Sequence, residues 1–337
     1  MKPKGAFFAT PDARTGLSEI DRVFAQGRRE RIGELCELVV DETVSAASFD
    51  RLTPRLQELE VIIGTWGMPA LTETHLARLP SLRALFYAAG SVRQFARPFL
   101  ERGITVVSAR EANALPVARF CLGQILLSCK GFFANNSAFT SPAAYAGAPH
   151  GPGIHDETVA LIGAGAVGRA LIPMLQTHNL KVLVVDPFLA HAEAGELGVT
   201  RVSLEQAFST ALVVSNHLPD TPDTRGLLRG GLFAGMRAGA TFINTGRGAQ
   251  VVEQELIAAL HNRPDLTALL DVTWPEPPAE GSPLYDLPNV RLSSHIAGSI
   301  GNEVSGLADS VIEQLECWCA GKPLRHDIPL EQFERLA

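Results

Sequence analysis

Thr158-Val-Ala-Leu-Ile162 leads into Gly163-Ala-Gly165-Ala-Val-Gly168, and Lys181-Val-Leu-Val-Val-Asp186 follows. Five successive residues with no polar alternation suit a strand covered on both faces of a parallel sheet. Gly163 permits a tight turn, Gly165 leaves room for a pyrophosphate to approach the backbone, and Gly168 lets a helix pack closely on the strand. The spacing predicts a helix starting near Ala166, whose unpaired N–H groups, those of Ala166 and Val167 among them, point with the positive end of the dipole at the phosphates. Asp186 stands 18 residues after Gly168. A carboxylate there suits the two ribose hydroxyls of NAD and repels a 2′-phosphate, and Pro187-Phe-Leu-Ala-His191 holds no arginine, so NAD is expected over NADP. One glycine turn in a chain of 30 glycines is a weak signal; the strand, helix, second strand and carboxylate around it make it specific.

A chain of 337 residues exceeds the size of a single core, so two domains are expected. With 46% hydrophobic and 19% charged residues, both can be well packed. The net charge of −7 includes no basic run, which argues against nucleic acid or a membrane surface as partner and favours a small molecule. Cys36, Cys121, Cys129, Cys317 and Cys319 are odd in number and form no C-x-x-C pair, so reduced thiols in a cytoplasmic protein are expected. Met1-Lys-Pro-Lys runs directly into Gly-Ala-Phe-Phe-Ala, without the apolar region and cleavage site of a signal peptide. The longest apolar stretch, Ala114 to Cys129, is interrupted by Arg119 and Gln124 and reads as a buried or interface helix, too short to span a bilayer.

Upstream of the glycine turn, apolar runs at Gly5–Ala9, Cys36–Val40, Val61–Gly64, Arg83–Tyr87 and Ile104–Val107 alternate with helix-like stretches, the rhythm of βαβ units. The segment Phe132 to Asp156 is rich in Ala, Gly, Pro, Ser and Asn and reads as a surface connection. Beyond Asp186, strands are expected near Ala211–Ser215, Ala240–Asn244, Thr267–Asp271 and Val290–Ser293, making six from Thr158 onward. The helix-like stretch Gly301 to Cys319 lies past the sixth and is expected to return to the first domain. The fold class is therefore α/β, with two doubly wound parallel sheets: a Rossmann domain, residues 113–301, inserted into a flavodoxin-like substrate domain, residues 1–112 and 302–337, with the active site in the cleft between them.

Ligands of open α/β sheets collect at the carboxyl ends of strands. Three such ends carry chemistry: Thr245-Gly246-Arg247-Gly248, Asp271-Val-Thr-Trp-Pro-Glu276-Pro, and Ser293-Ser-His295-Ile-Ala-Gly298. Arg247, always charged and forked, can hold a carboxylate or polarise a carbonyl. His295 can give a proton to a carbonyl oxygen as hydride arrives and take it back in oxidation. Glu276 would orient the imidazole ring and favour its charged form. Asp271 is placed to bind the nicotinamide carboxamide. No histidine stands at ligand spacing with carboxylates or cysteines, so no metal is expected.

Taken together, these motifs with His217-Leu-Pro219-Asp-Thr-Pro-Asp-Thr224, Asn244-Thr-Gly-Arg-Gly248 and Ser282-Pro-Leu-Tyr-Asp-Leu-Pro-Asn-Val290 resemble, over nearly the whole chain, the D-isomer-specific 2-hydroxyacid dehydrogenases, phosphoglycerate dehydrogenase-like. The resemblance implies Arg247, Glu276 and His295 as a catalytic trio. It implies a cofactor cleft lined also by His217, Pro219, Thr245, Gly246 and Gly298, a 2-keto or 2-hydroxy acid substrate, and a homodimer built through the cofactor domains. It further implies that a glycine-containing loop, Ala88-Ala89-Gly90-Ser91-Val92-Arg93, offers backbone N–H groups to the substrate carboxylate. The family usually carries Asp and Asn soon after this glycine, where Val92, Arg93 and Gln94 stand here. Arg93 then has two readings, a ligand for a second anionic group or a solvated surface charge. Trp66 and Trp274 likewise read as apolar pocket walls or as core. Arg119 replaces a frequent Glu, and Ser294 a frequent Pro. The same fold also serves non-catalytic, NAD-sensing corepressor-like proteins, and the intact trio argues against that alternative.

Overall fold

The computed structural model describes residues 2–12 and 15–333. It divides into two compact units, Met1–Asn113 with Ser299–Ala337, and Ala114–Gly298. The cuts fall beside Asn113 and Gly298, against the 112/113 and 301/302 expected from sequence.

In the first unit, β1 (Lys4–Phe8), β2 (Glu37–Leu38), β3 (Val61–Gly64), β4 (Ala84–Tyr87) and β5 (Thr105–Ser108) form a parallel sheet in the order β2-β1-β3-β4-β5. Its strands alternate between two apolar faces. Phe8, Ile62, Leu85 and Val106 enter one buried cluster, and Phe7, Ile63, Phe86 and Val107 enter the other. A side-chain period of two with apolar residues in both phases is what a sheet covered on both faces requires. The second face is closed by the helix Val304–Cys319, which buries Val304, Leu307, Ala308, Val311, Ile312 and Leu315 at helical spacing. Each of the buried Val, Leu and Ile side chains contributes about 1.5–3 kcal/mol. Arg28 and Arg31 tie the outer side of this helix through Asp309 and Glu316. The last long helix therefore belongs to the first sheet although the second unit precedes it in the chain.

The second unit contains β6 (Thr158–Ile162), β7 (Lys181–Val185), β8 (Thr200–Arg201), β9 (Val213–Asn216), β10 (Thr241–Asn244), β11 (Thr267–Leu270) and β12 (Val290–Leu292). All pairs are parallel, in the order β12-β11-β10-β9-β6-β7-β8. Because every strand points the same way, the carboxyl ends lie along one edge of the sheet in that order.

Three sequence expectations are corrected. The sheet has seven strands and not six; β8 is a two-residue edge strand, Thr-Arg, with no apolar run to announce it. The segment after Phe132 is not an irregular connection throughout: it contains a helix, Phe132–Ala138, and a 3-10 turn, Pro142–Gly147. Neither buries a residue fully, which is why no amphipathic period shows. The apolar helix runs Arg110–Cys129, 20 residues, so by length and composition alone it could cross a membrane. Val117, Ala118, Cys121, Ile125 and Cys129 pack it into the core of the second unit, as a buried helix should.

Candidate active site

The glycine turn sits at the carboxyl end of β6, and each glycine has its own physical reason. Gly163 adopts φ +102°, and a Cβ there would stand 3.1 Å from the carbonyl oxygen of His217. A Cβ on Gly168 would lie 2.4 Å from the carbonyl oxygen of Gly163, so only glycine lets the helix close on the turn. Gly165, in contrast, is exposed with nothing within 4 Å of a notional Cβ, the open approach a phosphate needs. The helix Ala166–Gln176 begins at Gly165 without a side-chain cap. Its half-buried Ala166 and Val167 contribute first-turn amides that meet no acceptor among the described residues.

Asp186, at the end of β7, holds the turn from the side. Its carboxylate accepts from Ala164 N at 2.7 Å and from Phe188 N at 2.8 Å. One acceptor site on each oxygen remains for a ribose hydroxyl. The residue thus shapes the glycine turn and keeps acceptor capacity of its own.

Along the same edge, β9 and β10 lead into a buried amide network. Asn216 Nδ2 donates to Asn244 Oδ1 at 2.9 Å and to Gln250 Oε1 at 2.6 Å. Gln250, fully buried, donates in turn to the carbonyls of Leu218 and Pro219, at 2.7 and 2.9 Å, and accepts from Arg247 N at 3.0 Å. Gln250 therefore fixes the Pro219 loop and the Arg247 backbone together. A Cβ on Gly246 would meet Gln250 Oε1 at 2.6 Å, and one on Gly248 would fall 1.9 Å from the carbonyl carbon of Thr273. The Gly-Arg-Gly triplet is thus imposed by contact on both sides of the arginine. Arg247 is half-buried; its Nη1 donates to its neighbour's carbonyl, Gly246 O, at 2.7 Å, and it meets no carboxylate among the described residues. Its charge is left for an anion.

His217 and Thr245 sit beneath this edge. Thr245 Oγ1 lies 3.1 Å from His217 Nδ1, and Ser215 Oγ lies 3.0 Å from Nε2. Burial pushes the imidazole pKa down to about 4, so His217 is neutral and bridges two hydroxyls. Thr245 Oγ1 also lies 3.4 Å from Cys121 Sγ.

His295 and Glu276 meet directly: His295 Nδ1 is 2.7 Å from Glu276 Oε1, and both side chains are partly exposed, 48% and 40%. An ionised carboxylate only accepts, so Nδ1 carries the hydrogen and Nε2 is left for a reacting group. The backbone of His295 is in the left-handed region, φ +58°. Asp271 holds it there. Its carbonyl accepts from His295 N at 3.0 Å. Its carboxylate accepts from Ser293 Oγ at 2.6 Å, Ile296 N at 2.8 Å and Ala297 N at 2.9 Å. Asp271 is only 3% exposed, so its first duty is to fold the His295 loop, and three of its four acceptor sites are spent there. Gly298, half-buried, ends that loop. Trp274 is 63% exposed, which removes the core reading for it.

Residues 122–297, more than half of the chain, match the family model described as D-isomer specific 2-hydroxyacid dehydrogenase, NAD binding domain. The chain belongs to this family. It is 29% identical over 66% of its length to the D-3-phosphoglycerate dehydrogenase of Synechocystis sp., of which it covers 40%. It thus spans about two fifths of the length of such curated relatives. A phosphoglycerate oxidoreductase of Rhizobium etli superposes with a TM-score of 0.77 at 25% identity, 97% of each chain being covered. Rhodotorula graminis D-mandelate dehydrogenase gives 0.78 at 21%, covering 97% of this chain and 98% of its own, a likeness of fold alone. Asn244 and Ser293 stand in the motifs without an assigned role, and Gln250 and Asn216, which also hold this dehydrogenase-family site, escape sequence reasoning. A polar Gln three residues after Arg247, just before Val251-Val252, is the one signal the sequence offers.

The first unit places the loop after β4 at the carboxyl edge of its own sheet. Ala89 is buried, and Gly90, Ser91 and Arg93 are half-buried. Trp66, also half-buried, packs against both apolar clusters of that unit, with the guanidinium of Arg22 5.6 Å from its ring centre. It is as much core as wall.

Proposed function

We propose that this protein is an NAD-dependent oxidoreductase that interconverts a D-2-hydroxy acid and its 2-keto acid. One observation carries the reading: the 2.7 Å contact of His295 with Glu276 stands on the strand ends next to Arg247, on the sheet edge that also bears the glycine turn. The turn fits the cofactor, because Gly165 is open, the first amides of its helix are unpartnered, and Asp186 keeps acceptor capacity. Bound NAD supplies or takes up the hydride. His295 Nε2 gives the proton to the carbonyl oxygen during reduction and takes it from the hydroxyl during oxidation, while Glu276 fixes the ring and steadies the imidazolium. Arg247 holds the substrate carboxylate or polarises its carbonyl. The amides of Ala89, Gly90 and Ser91 bind the carboxylate, and Arg93 and Trp66 face the rest of the substrate. Thr245, Gly246, His217, Pro219 and Gly298 line the cofactor cleft, and Asp271 adds the nicotinamide contact with its remaining acceptor site.

The preference for NAD over NADP rests on Asp186. We assign a homodimer through the second unit, supported by Leu115, Leu127, Phe132, Phe139 and Tyr145, all large, apolar and exposed within one stretch. Five unpaired cysteines support a cytoplasmic setting. The test is a panel of 2-keto acids with NADH and NADPH in parallel. Oxidation of NADH by at least one acid, abolished in His295→Ala, is the expected result; a panel without turnover removes the reading.

A further inference from the structure

The loop after β4 is held in a way that bears on how it binds. Thr65 Oγ1, at the end of β3, donates to Ala88 O at 2.8 Å. Ser108 Oγ, at the end of β5, donates to Ala89 O at 3.1 Å and lies 2.5 Å from Gly90 O. Both hydroxyl residues are buried, at 0% and 1% exposure. The Ala88 carbonyl is therefore held on the β3 side of β4, and those of Ala89 and Gly90 on the opposite, β5 side. A peptide unit is planar and trans, so the N–H of the following residue points opposite to each carbonyl. Pinning the carbonyls of Ala88, Ala89 and Gly90 fixes the N–H groups of Ala89, Gly90 and Ser91, with those of Gly90 and Ser91 both turned away from β5. None of the three meets an acceptor among the described residues, whereas Ala88 N, before the pinned run, bonds to Gly64 O at 2.8 Å. Three adjacent unsatisfied donors, two of them sharing one direction, form a site suited to an anion.

We propose that Thr65 and Ser108 are positioning residues for substrate: their hydroxyls set the three amides that receive the substrate carboxylate. This rests on the reading of the Ala88–Arg93 loop given above. The two residues touch no substrate themselves, and they act on binding rather than on proton transfer. Without the Ser108 hydroxyl, the Ala89 and Gly90 carbonyls lose their fixed donor and the Gly90 and Ser91 amides lose their common direction.

The experiment uses the full chain with NADH and the 2-keto acid turned over best. Ser108→Ala and Thr65→Val are expected to raise KM roughly tenfold, with kcat within about threefold and NADH affinity unchanged. Ser108→Thr and Thr65→Ser, which keep the hydroxyl, restore the KM. Should Thr65→Val fail to fold, Ser108→Ala with its Thr rescue decides alone. An unchanged KM in folded Ser108→Ala, or a rise matched by equal loss of NADH binding, overturns the proposal. A chain without turnover would remove the proposed function but not this inference, which is then read from the amide resonances of Ala89, Gly90 and Ser91. Oxamate added to the NADH-loaded protein should shift all three in wild type and less in Ser108→Ala; absence of any shift overturns it.

Discussion

The loops after β10, β11 and β12 and the loop after β4 occupy the same topological position, the carboxyl edge of a parallel sheet, yet they are built in opposite ways. In the second unit the side chains of Arg247, Glu276 and His295 face outward, and buried side chains hold their backbones: Gln250 under Arg247 and Asp271 under His295. In the first unit the backbone itself faces outward, and Thr65 and Ser108 hold it by its carbonyls. A loop that works through side chains restricts which residues can stand in it. A loop that works through amides leaves its side chains free to vary. The first kind is therefore rich in motif and the second poor.

The contrast breaks most visibly at His295. His295→Ala should lower kcat about 10²–10⁴-fold with NADH binding intact, measured by steady-state kinetics and a cofactor titration. An NADH affinity that falls in parallel would mean the residue holds the cofactor cleft and not a proton. Gly248→Ala is next. Its Cβ would enter the Thr273 backbone at 1.9 Å, so overpacking of about 1–3 kcal/mol or more is expected, with a lower Tm and reduced kcat. Gly165→Ala, with nothing within 4 Å, should leave Tm unchanged and weaken NADH binding. Equal Tm losses in the two variants would erase the distinction between a packed and an open glycine.

His217 sharpens the account of the buried layer beneath these loops. Its pKa in the fold, about 4, lies below the ordinary imidazole value, so between the two the unfolded chain binds a proton that the fold refuses. Stability should rise with pH through this window and be lost as pH falls from about 6.5 toward 4, by up to about 3 kcal/mol. Denaturant melts across that range should show the slope in wild type and its absence in His217→Gln. The smallest effect is expected in the first unit. Ser91→Ala removes only a 3.4 Å contact from Arg93 N, so stability should stay within about 0.5 kcal/mol while the ranking of keto acids changes. A large loss of stability would show that the side chains of this loop are structural after all.

Much of the candidate site was legible because its chemistry needs particular residue types at particular spacings. Gly163, Gly165 and Gly168 stand where a turn, an approach and a close packing call for glycine, and Arg247, Glu276 and His295 follow three strands adjacent in the sheet. Asp271 shows the limit of that reasoning. As a carboxylate after a strand it reads as a ligand for the nicotinamide, and the fold gives most of its acceptors to Ser293, Ile296 and Ala297. Thr65 and Ser108 carry no signal of their own, and Gln250 only its place after Arg247, because their partners lie in segments up to 34 residues away. The strand β8 was missed because an edge pair of polar residues buries too little to leave a hydrophobic mark.

What the sequence by itself determined is the parallel α/β class, the dinucleotide turn and the residue types available for hydride chemistry, since burial on both faces of a strand and the steric needs of a phosphate turn act over a few neighbouring residues. Only the tertiary structure decided which of those residues face outward and which are spent on holding loops. That choice depends on hydrogen bonds between the ends of strands far apart in the chain and adjacent in the sheet, and no local pattern encodes it.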